Sequence, residues 1–487
     1  MNKKTIVIIS RGARVANLFK ETALDLTKDY HVIALVDESE YEFWSDAKDI
    51  EVINFDKAFN DEADKVKGDL YNIASKIEVE LGLSVFKSAS NYLLYRKFVR
   101  QNNVKWRKWY IDDFNVMLRN YVGSYQVLSR IIRENQPALI FFENPDLISC
   151  RIATALGFLH GIFALGIRFS PYTWDDKQRM WFAYGFESRN VLLEHYYKNK
   201  GLIKSESYAN GREIIRRINN QEQKPITIRA CKKDAERFLD WKSFIWWAMV
   251  RMGHGILTLQ PRRYLKMCFN ILWINKNFHY DIPKEPYIAF FMHYQPEATT
   301  SCQVPRWVNQ DIVLEQLATN GPLGLKILIK EHTKNFGARG KQYFGELIEM
   351  FNVHLCHPVV NTHSIISNAQ AILTLTGTVG FEAIAMGKKV ATLGKPYYHV
   401  YEGVKRLNYP EEIFGVLRDP SWRPEEMKED RETFVSAYAQ SVYELGFGGP
   451  RSIWPKTGGD KLASGIKDFI NKKDEYKLMP RMFGRGY

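Results

Sequence analysis

Along the first 56 residues, short apolar runs alternate with stretches of helical spacing. Thr5 to Ile9 is a β-branched apolar run and reads as a buried strand. Ser10-Arg11-Gly12-Ala13-Arg14 reads as a turn, Val15 to Thr27 as a helix, His31 to Val36 as a second strand and Glu51 to Phe55 as a third. Strand, helix, strand in this rhythm predicts a parallel sheet with right-handed crossovers. Residues 57–136 break the rhythm. They are charged and poor in Gly and Pro, with apolar positions recurring at three and four, which predicts a helical insertion. Ala138 to Phe142 returns to a strand, Leu147 to Leu156 to a helix and Gly161 to Ile167 to a strand. The first half therefore predicts a Rossmann-type sheet of at least five strands.

Residues 185–235 are polar with helical spacing, and residues 241–280 are basic and aromatic. A second α/β rhythm follows. Tyr287 to Phe291, Lys326 to Lys330, Val353 to Leu355, Ala371 to Leu375 and Val390 to Leu393 read as strands. Ile312 to Leu317, Gln342 to Glu349 and Val379 to Met386 read as helical. The predicted organisation is a first Rossmann-like domain over 1–235 with its insertion at about 57–136, a basic aromatic helical linker over 236–281, a second Rossmann-like domain over 282–450, and a helix with a basic tail over 451–487. Repeats and low-complexity tracts are absent from the sequence.

Composition narrows the partners without choosing one. The chain has 487 residues, 45% hydrophobic and 25% charged, which is globular. Its formal net charge of +13 favours anionic partners: nucleic acid, an acidic membrane or a phosphorylated small molecule. No nucleic-acid recognition motif accompanies the charge. The five cysteines are scattered without a CxxC pair, which argues against a disulfide framework or zinc ribbon and suits a reducing compartment. The apolar run at Thr5 to Ile9 is too short for a signal-peptide core. Ile152 to Ile167 lacks formal charge but falls short of the roughly 20 apolar residues of a span. The expectation is a cytoplasmic protein whose membrane contact, if any, is peripheral at the inner face of the plasma membrane.

Four strand ends carry candidate chemistry. Leu373 to Ala383 is an apolar strand, a Thr/Gly turn and a helix start. Such a start offers N–H groups and partial positive charge to a phosphate. Gly377 permits close backbone approach, Thr376 and Thr378 add hydroxyls, and Glu382 on the first turn suits ribose hydroxyls. An ordinary N-cap is the plainer reading. Neither GxGxxG nor GxxxxGK[ST] is present. Lys330, Glu331 and His332 end the strand at 326–330, where a solvated turn is the plainer reading. His293, Gln295 and Glu297 follow the strand at 287–291. Ligands in open α/β sheets bind beyond the carboxyl ends of strands, and parallel strands bring those ends together. In the first half, Glu143 follows the strand at 138–142 and suits a general base or nucleophile, with a helix cap together with Asp146 as the alternative. Asp175, Asp176 and the Arg11-Gly12 turn are weaker candidates, the last for an anionic acceptor.

The stretch from Tyr287 to His399 resembles the capsule polysaccharide biosynthesis and export family, which includes β-Kdo transferases. The matching pieces are His293-Tyr294-Gln295-Pro296-Glu297, Lys330-Glu331-His332, Gly337-Ala338-Arg339, Thr376 to Ala383, Gly387-Lys388 and Tyr397-Tyr398. The resemblance implies a GT-B glycosyltransferase: two Rossmann-like domains facing a cleft, the donor held by the second and the acceptor by the first. It implies nucleotide-sugar binding by Gln295, Lys330, Glu331, His332, Arg339, Thr376, Gly377, Thr378 and Glu382. Catalysis is assigned to Glu143, with His293 or Glu297 assisting. The family's usual Lys-Glu-His-Pro reads Lys-Glu-His-Thr here, with Thr333 in the last place. A CMP-activated, Kdo-like sugar is the favoured donor, with UDP- and GDP-sugars open. No metal and no cofactor beyond the nucleotide-sugar co-substrate is implied. The acceptor is a surface polysaccharide or lipid-linked glycan. A nucleotide-sugar epimerase of the same fold and a non-catalytic scaffold of a capsule assembly complex are the rival readings.

Residues 241–280 hold six Lys or Arg, several Trp and Phe, and no acid. Helices packing one domain to the other is one reading. A face for an anionic membrane carrying a lipid-linked acceptor is the favoured one. The tail from Asn471, with five basic and two acidic residues, fits the same reading.

Overall fold

The computed structural model describes residues 3–11, 15–89, 113–175, 177–222, 236, 238–257, 261–295, 297, 299–445 and 458–480. In chain order the strands are β1 (Thr5–Ser10), β2 (His31–Val36), β3 (Glu51–Asn54), β4 (Leu139–Phe142), β5 (Phe163–Phe169), β6 (Arg179–Tyr184), β7 (Arg189–Asn190), β8 (Tyr287–Phe291), β9 (Lys326–Lys330), β10 (Val353–Cys356), β11 (Ala371–Thr374), β12 (Lys389–Thr392), β13 (Val404–Arg406) and β14 (Tyr443–Glu444). They divide between two compact units. One runs to Leu193 and resumes at Ser441; the other spans Glu194–Gln440.

The first unit's sheet runs β14-β6-β5-β4-β1-β2-β3, with β7 paired to β6. Strands β1 to β5 are mutually parallel, and β6 adds antiparallel to β5. The order 3-2-1-4-5 is the Rossmann arrangement that the sequence predicts. Every residue of β1 is buried, as a parallel strand covered on both faces requires. Among the described residues, the insertion between β3 and β4 comprises helices Phe55–Lys65, Leu70–Leu81, Val85–Ser88 and Phe114–Asn135; residues 90–112 lie outside the described residues. Asn54, Asp69 and Asp113 begin three of them, each side chain accepting from a backbone N–H of the first turn. Gly123 faces the backbone of Phe59, where a Cβ would fall 2.0 Å from the carbonyl oxygen, so two insertion helices touch only because that position is glycine.

The second unit's sheet runs β10-β9-β8-β11-β12-β13, all parallel. Counted within the unit, this is again 3-2-1-4-5-6. Its core gathers Ile288, Phe290, Ile327, Ile329, Leu373 and Ala391 from the strands with Val313, Leu314 and Leu317 from helix Gln310–Asn320.

The units divide elsewhere than the predicted boundaries at 235, 281 and 450. The described residues of 194–281 join the second unit because their apolar faces pack there: Tyr197 lies edge-on to Phe434 at 5.2 Å, Gly211 abuts Ser436, and Ile271 and Ile274 enter the core. The chain from Ser441 returns to the first unit. β14 pairs with β6, and Phe469 of helix Gly459–Glu475 packs on Phe163 at 5.4 Å. Residues 446–457 lie outside the described residues. The helix predicted over 342–349 is two shorter turns, Lys341–Phe344 and Leu347–Glu349, interrupted at Gly345, a weak helix former.

Candidate functional site

The carboxyl edge of the second sheet brings together the ends of β8, β9 and β11. His293 follows β8 and is buried. Its Nε2 accepts from the backbone N–H of Thr376 at 3.1 Å, with the Thr374 hydroxyl at 3.3 Å from the same atom. An imidazole that accepts at Nε2 is neutral and carries its proton on Nδ1. Burial, then Arg339, pushes its pKa down to about 4, in agreement. Gln310 clamps the backbone of His293 from both sides, its Oε1 accepting from the N–H at 2.7 Å and its Nε2 donating to the carbonyl at 3.3 Å.

The Thr374–Thr378 turn is tight. The Gly377 N–H donates to the Thr374 hydroxyl at 3.1 Å, and its carbonyl accepts from the Tyr398 hydroxyl. A Cβ on Gly377 would sit 2.7 Å from that Thr374 oxygen and 3.4 Å from His293 Nε2, so the glycine is required here by the protein's own packing. The helix that follows, Val379–Ala385, has only seven residues, and two N–H groups of the turn are already satisfied within the protein. The helix terminus is therefore a weaker anion site than the sequence suggests. The Thr376 hydroxyl, in contrast, is buried with no hydrogen-bond partner among the described residues. Such an orphan costs about 1–3 kcal/mol, and a bound oxygen would relieve it. Thr378 is exposed and Glu382 half-buried, so the turn is not sealed within the packing.

Behind the turn lies a buried ion pair. Arg339 donates twice from Nη1 to the Glu331 carboxylate, at 2.8 Å to each oxygen, and from Nη2 to Gln295 Oε1 at 2.6 Å and to the carbonyl of His293 at 3.3 Å. Burial pushes the Glu331 carboxyl up against the pull of Arg339. Burial also works against the charge on Arg339, but the facing carboxylate outweighs it and holds the guanidinium protonated. The pair is buried, and the half-buried Gln295 has its amide engaged by Arg339 and by the Val308 carbonyl, so these groups support the strand ends.

The remaining predicted residues divide. The Lys330 amine donates to the Val360 carbonyl and to the Thr362 hydroxyl at 2.9 Å, bracing the loop after β10. Glu297 accepts from the Thr299 hydroxyl at 2.8 Å, and its carbonyl from the N–H groups of Thr300 and Ser301, so it starts the short turn at Thr299–Gln303. His332 Nδ1 accepts from the Lys334 N–H at 3.1 Å. Burial, then the neighbouring His293, lowers its pKa to about 3, so the ring is neutral with its proton on Nε2. Thr333 begins the short 3-10 turn that His332 caps.

In the first unit, Glu143 is half-buried immediately after β4. Three residues on, Asp146 has its pKa pushed up to about 6 by burial, against the pull of Arg168. Sequence reading treated Asp146 only as a cap, because the desolvation that raises its pKa is set by the fold and leaves no local signature in the chain. Arg11 departs from its predicted role. Its guanidinium is bound to Asp37 at 2.6 Å and to Asp56, tying together the ends of β1, β2 and β3, because two carboxylates lie closer than any incoming anion could. Gly12 lies outside the described residues. Asp175 is held by Arg179, which also lies over the Trp174 ring at 3.6 Å, so it fixes a turn. Asp176 lies outside the described residues. Gln310 and Tyr398 escaped assignment as site residues, because a polar residue opening an apolar helix and a buried tyrosine carry no local signature.

Among the described residues one group, His279, Asp281 and His354, places metal-capable atoms within 4.8 Å of one another. The two imidazoles stack at 4.3 Å and 17°, so their in-plane lone pairs run side by side instead of converging.

Residues 306–414 match the sequence profile described as capsule polysaccharide biosynthesis protein, a stretch that holds Lys330, Glu331, His332, Arg339, Thr376, Gly377, Thr378 and Glu382. The capsule polysaccharide modification protein LipA of Neisseria meningitidis serogroup A is 27% identical over 125 residues, covering 26% of this chain and 17% of LipA. Protein FixF of Sinorhizobium fredii is 37% identical over 65 residues, covering 13% of this chain and 16% of FixF. The chain thus matches less than a fifth of the length of these curated relatives. Among solved structures, the β-Kdo 2,7 transferase of KpsC from Thermosulfurimonas dismutans aligns with 70% of this chain and 90% of its own, at 13% identity and a TM-score of 0.37. Over residues 306–414 the chain is similar in sequence to capsule polysaccharide biosynthesis proteins.

Proposed function

We propose that the protein is a glycosyltransferase of the GT-B kind. It moves a sugar from a nucleotide-sugar donor, a CMP-linked Kdo-like sugar first among candidates, to a surface polysaccharide or lipid-linked glycan. The observation that carries this reading is the Thr376 hydroxyl, which has no hydrogen-bond partner among the described residues, in a tight turn that His293 and Gly377 fix at the joined ends of β8 and β11, beside the exposed Thr378. In this reading the donor phosphate lies against Thr376 and Thr378, the His332 Nε2–H donates to it, and Glu382 accepts from ribose hydroxyls. His293, Gln295, Glu331, Arg339 and Lys330 position that surface.

The acceptor hydroxyl oxygen forms a bond to the anomeric carbon as the bond from that carbon to the donor phosphate oxygen breaks. The electron pair leaves with the phosphate, and hydroxyl and imidazole donors stabilise its charge. The proton of the acceptor passes to a carboxylate after β4, Glu143, with Asp146 poised near its working pH. No resident metal or cofactor is needed in this scheme. We place the enzyme at the inner face of the plasma membrane, where lipid-linked acceptors meet nucleotide sugars.

A thermal-shift series with CMP, UDP and GDP tests the donor assignment, because a ligand that binds only the folded state raises its stability. A shift with CMP that Thr376→Val and His332→Ala reduce is the expected result. No shift with any of the three nucleotides would overturn the donor site.

A further inference from the structure

Helices Trp241–Leu257 and Pro261–Asn277 are anchored to the second unit by their inner faces. Ile271, Ile274 and Phe278 are buried in its core, and Phe244, Trp247, Met267 and Trp273 pack against it. Asn270 donates to the Gly337 carbonyl at 2.9 Å, and Asn275 to the Phe238 carbonyl at 3.0 Å. The inner face is thus already covered, and the outer face should be polar if water were its only neighbour.

It is not polar. Trp241 is 65% exposed, Trp246 67%, Leu257 85% and Phe269 63%, and Ile245, Met249, Val250, Leu265 and Leu272 are exposed beside them. The spacing is helical: 241, 245 and 249 form one stripe, and 265, 269 and 272 another. Basic residues interleave. Arg262, Lys266 and Lys276 are exposed on the same helix as Leu265, Phe269 and Leu272, and Lys242 and Arg251 are exposed on the other. From 241 to 280 there is no Asp or Glu.

We infer that this outer face is an interfacial membrane anchor: the two helices lie in the plane of an anionic bilayer, with Trp246 and Phe269 at headgroup depth and Arg262, Lys266 and Lys276 on lipid phosphates. The inference deepens the proposed function and rests on its membrane-linked acceptor. Large apolar side chains beside Lys and Arg are the composition of helices that bury about 5–10 Å into the headgroup boundary. Among the described residues no helix is long and apolar enough to cross a membrane, so the pair lies on the surface instead of spanning it. Charge selects the occupant. A second copy of this face would bring five like charges against five, whereas an anionic bilayer complements them.

Co-sedimentation of the full chain with vesicles tests the inference, using phosphatidylcholine alone and a mixture of one part phosphatidylglycerol to two parts phosphatidylcholine. Binding to the anionic vesicles, weakened by salt and about tenfold weaker in Trp246→Ser/Phe269→Ser, is expected. Arg262→Glu/Lys266→Glu should abolish the preference for anionic lipid. These side chains are exposed, and unchanged melting temperatures confirm that the variants fold. Equal binding of wild type and both variants would overturn the inference. So would light scattering that shows wild-type dimers, dissolved by Trp246→Ser/Phe269→Ser, without vesicle binding. The CMP thermal shift on the same samples separates the two readings. A shift without vesicle binding removes only the anchor, and vesicle binding without a shift removes only the donor site.

Discussion

The Nε2 atom of His293, at the end of β8, accepts a hydrogen bond from the backbone N–H of Thr376, 83 residues downstream, at 3.1 Å. One contact therefore fixes both a tautomer and the shape of the turn after β11. A base whose lone pair is bound to a backbone N–H is unsuited to take an acceptor proton, so His293 is a positioning residue. His293→Ala should weaken nucleotide affinity about tenfold or more, roughly 1.4 kcal/mol. His293→Asn, which can still offer an acceptor, should recover part of it. Calorimetric titration with the nucleotide that gives a thermal shift reads both. Unchanged affinity in the alanine variant would sever the link between the turn and the ligand.

The same histidine makes the second unit sensitive to acid. His293 and His357 both have pKa values lowered from 6.5 to about 4, chiefly by burial, with Arg339 adding to the effect at His293 and Lys330 at His357. The unfolded chain takes up these protons first. Each residue contributes stability that is full above pH 6.5 and is lost as the pH falls from 6.5 toward 4. Across that window each histidine removes up to about 1.4 kcal/mol per pH unit. Melting temperatures from pH 7.5 downward should decline most steeply below pH 6.5, and His293→Asn should flatten the decline. A flat profile down to pH 4.5 would contradict the assignment.

The Glu331–Arg339 pair allows a sharper test, because its side chains are 0% and 7% exposed. Removing one partner strands a buried charge, so Arg339→Met alone should cost about 3–5 kcal/mol in urea unfolding. Glu331→Leu combined with Arg339→Met should cost much less than the sum, since no charge is left unpaired. Additive losses would mean that the two residues act independently.

Strands β1 to β5 and β8 to β12 were legible because they rest on local signals, whereas β6, β7, β13 and β14 were not predicted. β8 is a continuous apolar run and β9 has an apolar centre, Ile327 to Ile329, between two lysines, and their observed ends equal the predicted ones. Gly377 was read as making room for a phosphate, whereas the atom its missing side chain spares is the Thr374 hydroxyl oxygen. What stayed hidden was pairing at a distance. Nothing near Arg11 announces that Asp37 and Asp56 will capture it, and nothing near Lys330 announces Val360 and Thr362. Residues 194–281 read as polar helices and a linker, yet Tyr197, Gly211 and Ile271 pack them into the second unit, a choice made by tertiary contact and not by periodicity.

The carboxylates after β4 carry the last prediction. An acid with its pKa pushed up to about 6, such as Asp146, changes charge within the range where an enzyme can be assayed. If the proposed transfer runs as written, kcat/KM should fall as the pH drops below about 6, because Asp146 then gains a proton and the site loses its negative charge. Asp146→Asn should remove that acid limb or displace it, while Glu143→Gln should lower kcat about a hundredfold or more at every pH. The contrast between a shifted profile and a uniform loss separates a residue that tunes the site from one that takes the proton. A limb that stays near pH 6 in Asp146→Asn would assign it to another group. Full activity in Glu143→Gln would move the search for the base away from the end of β4.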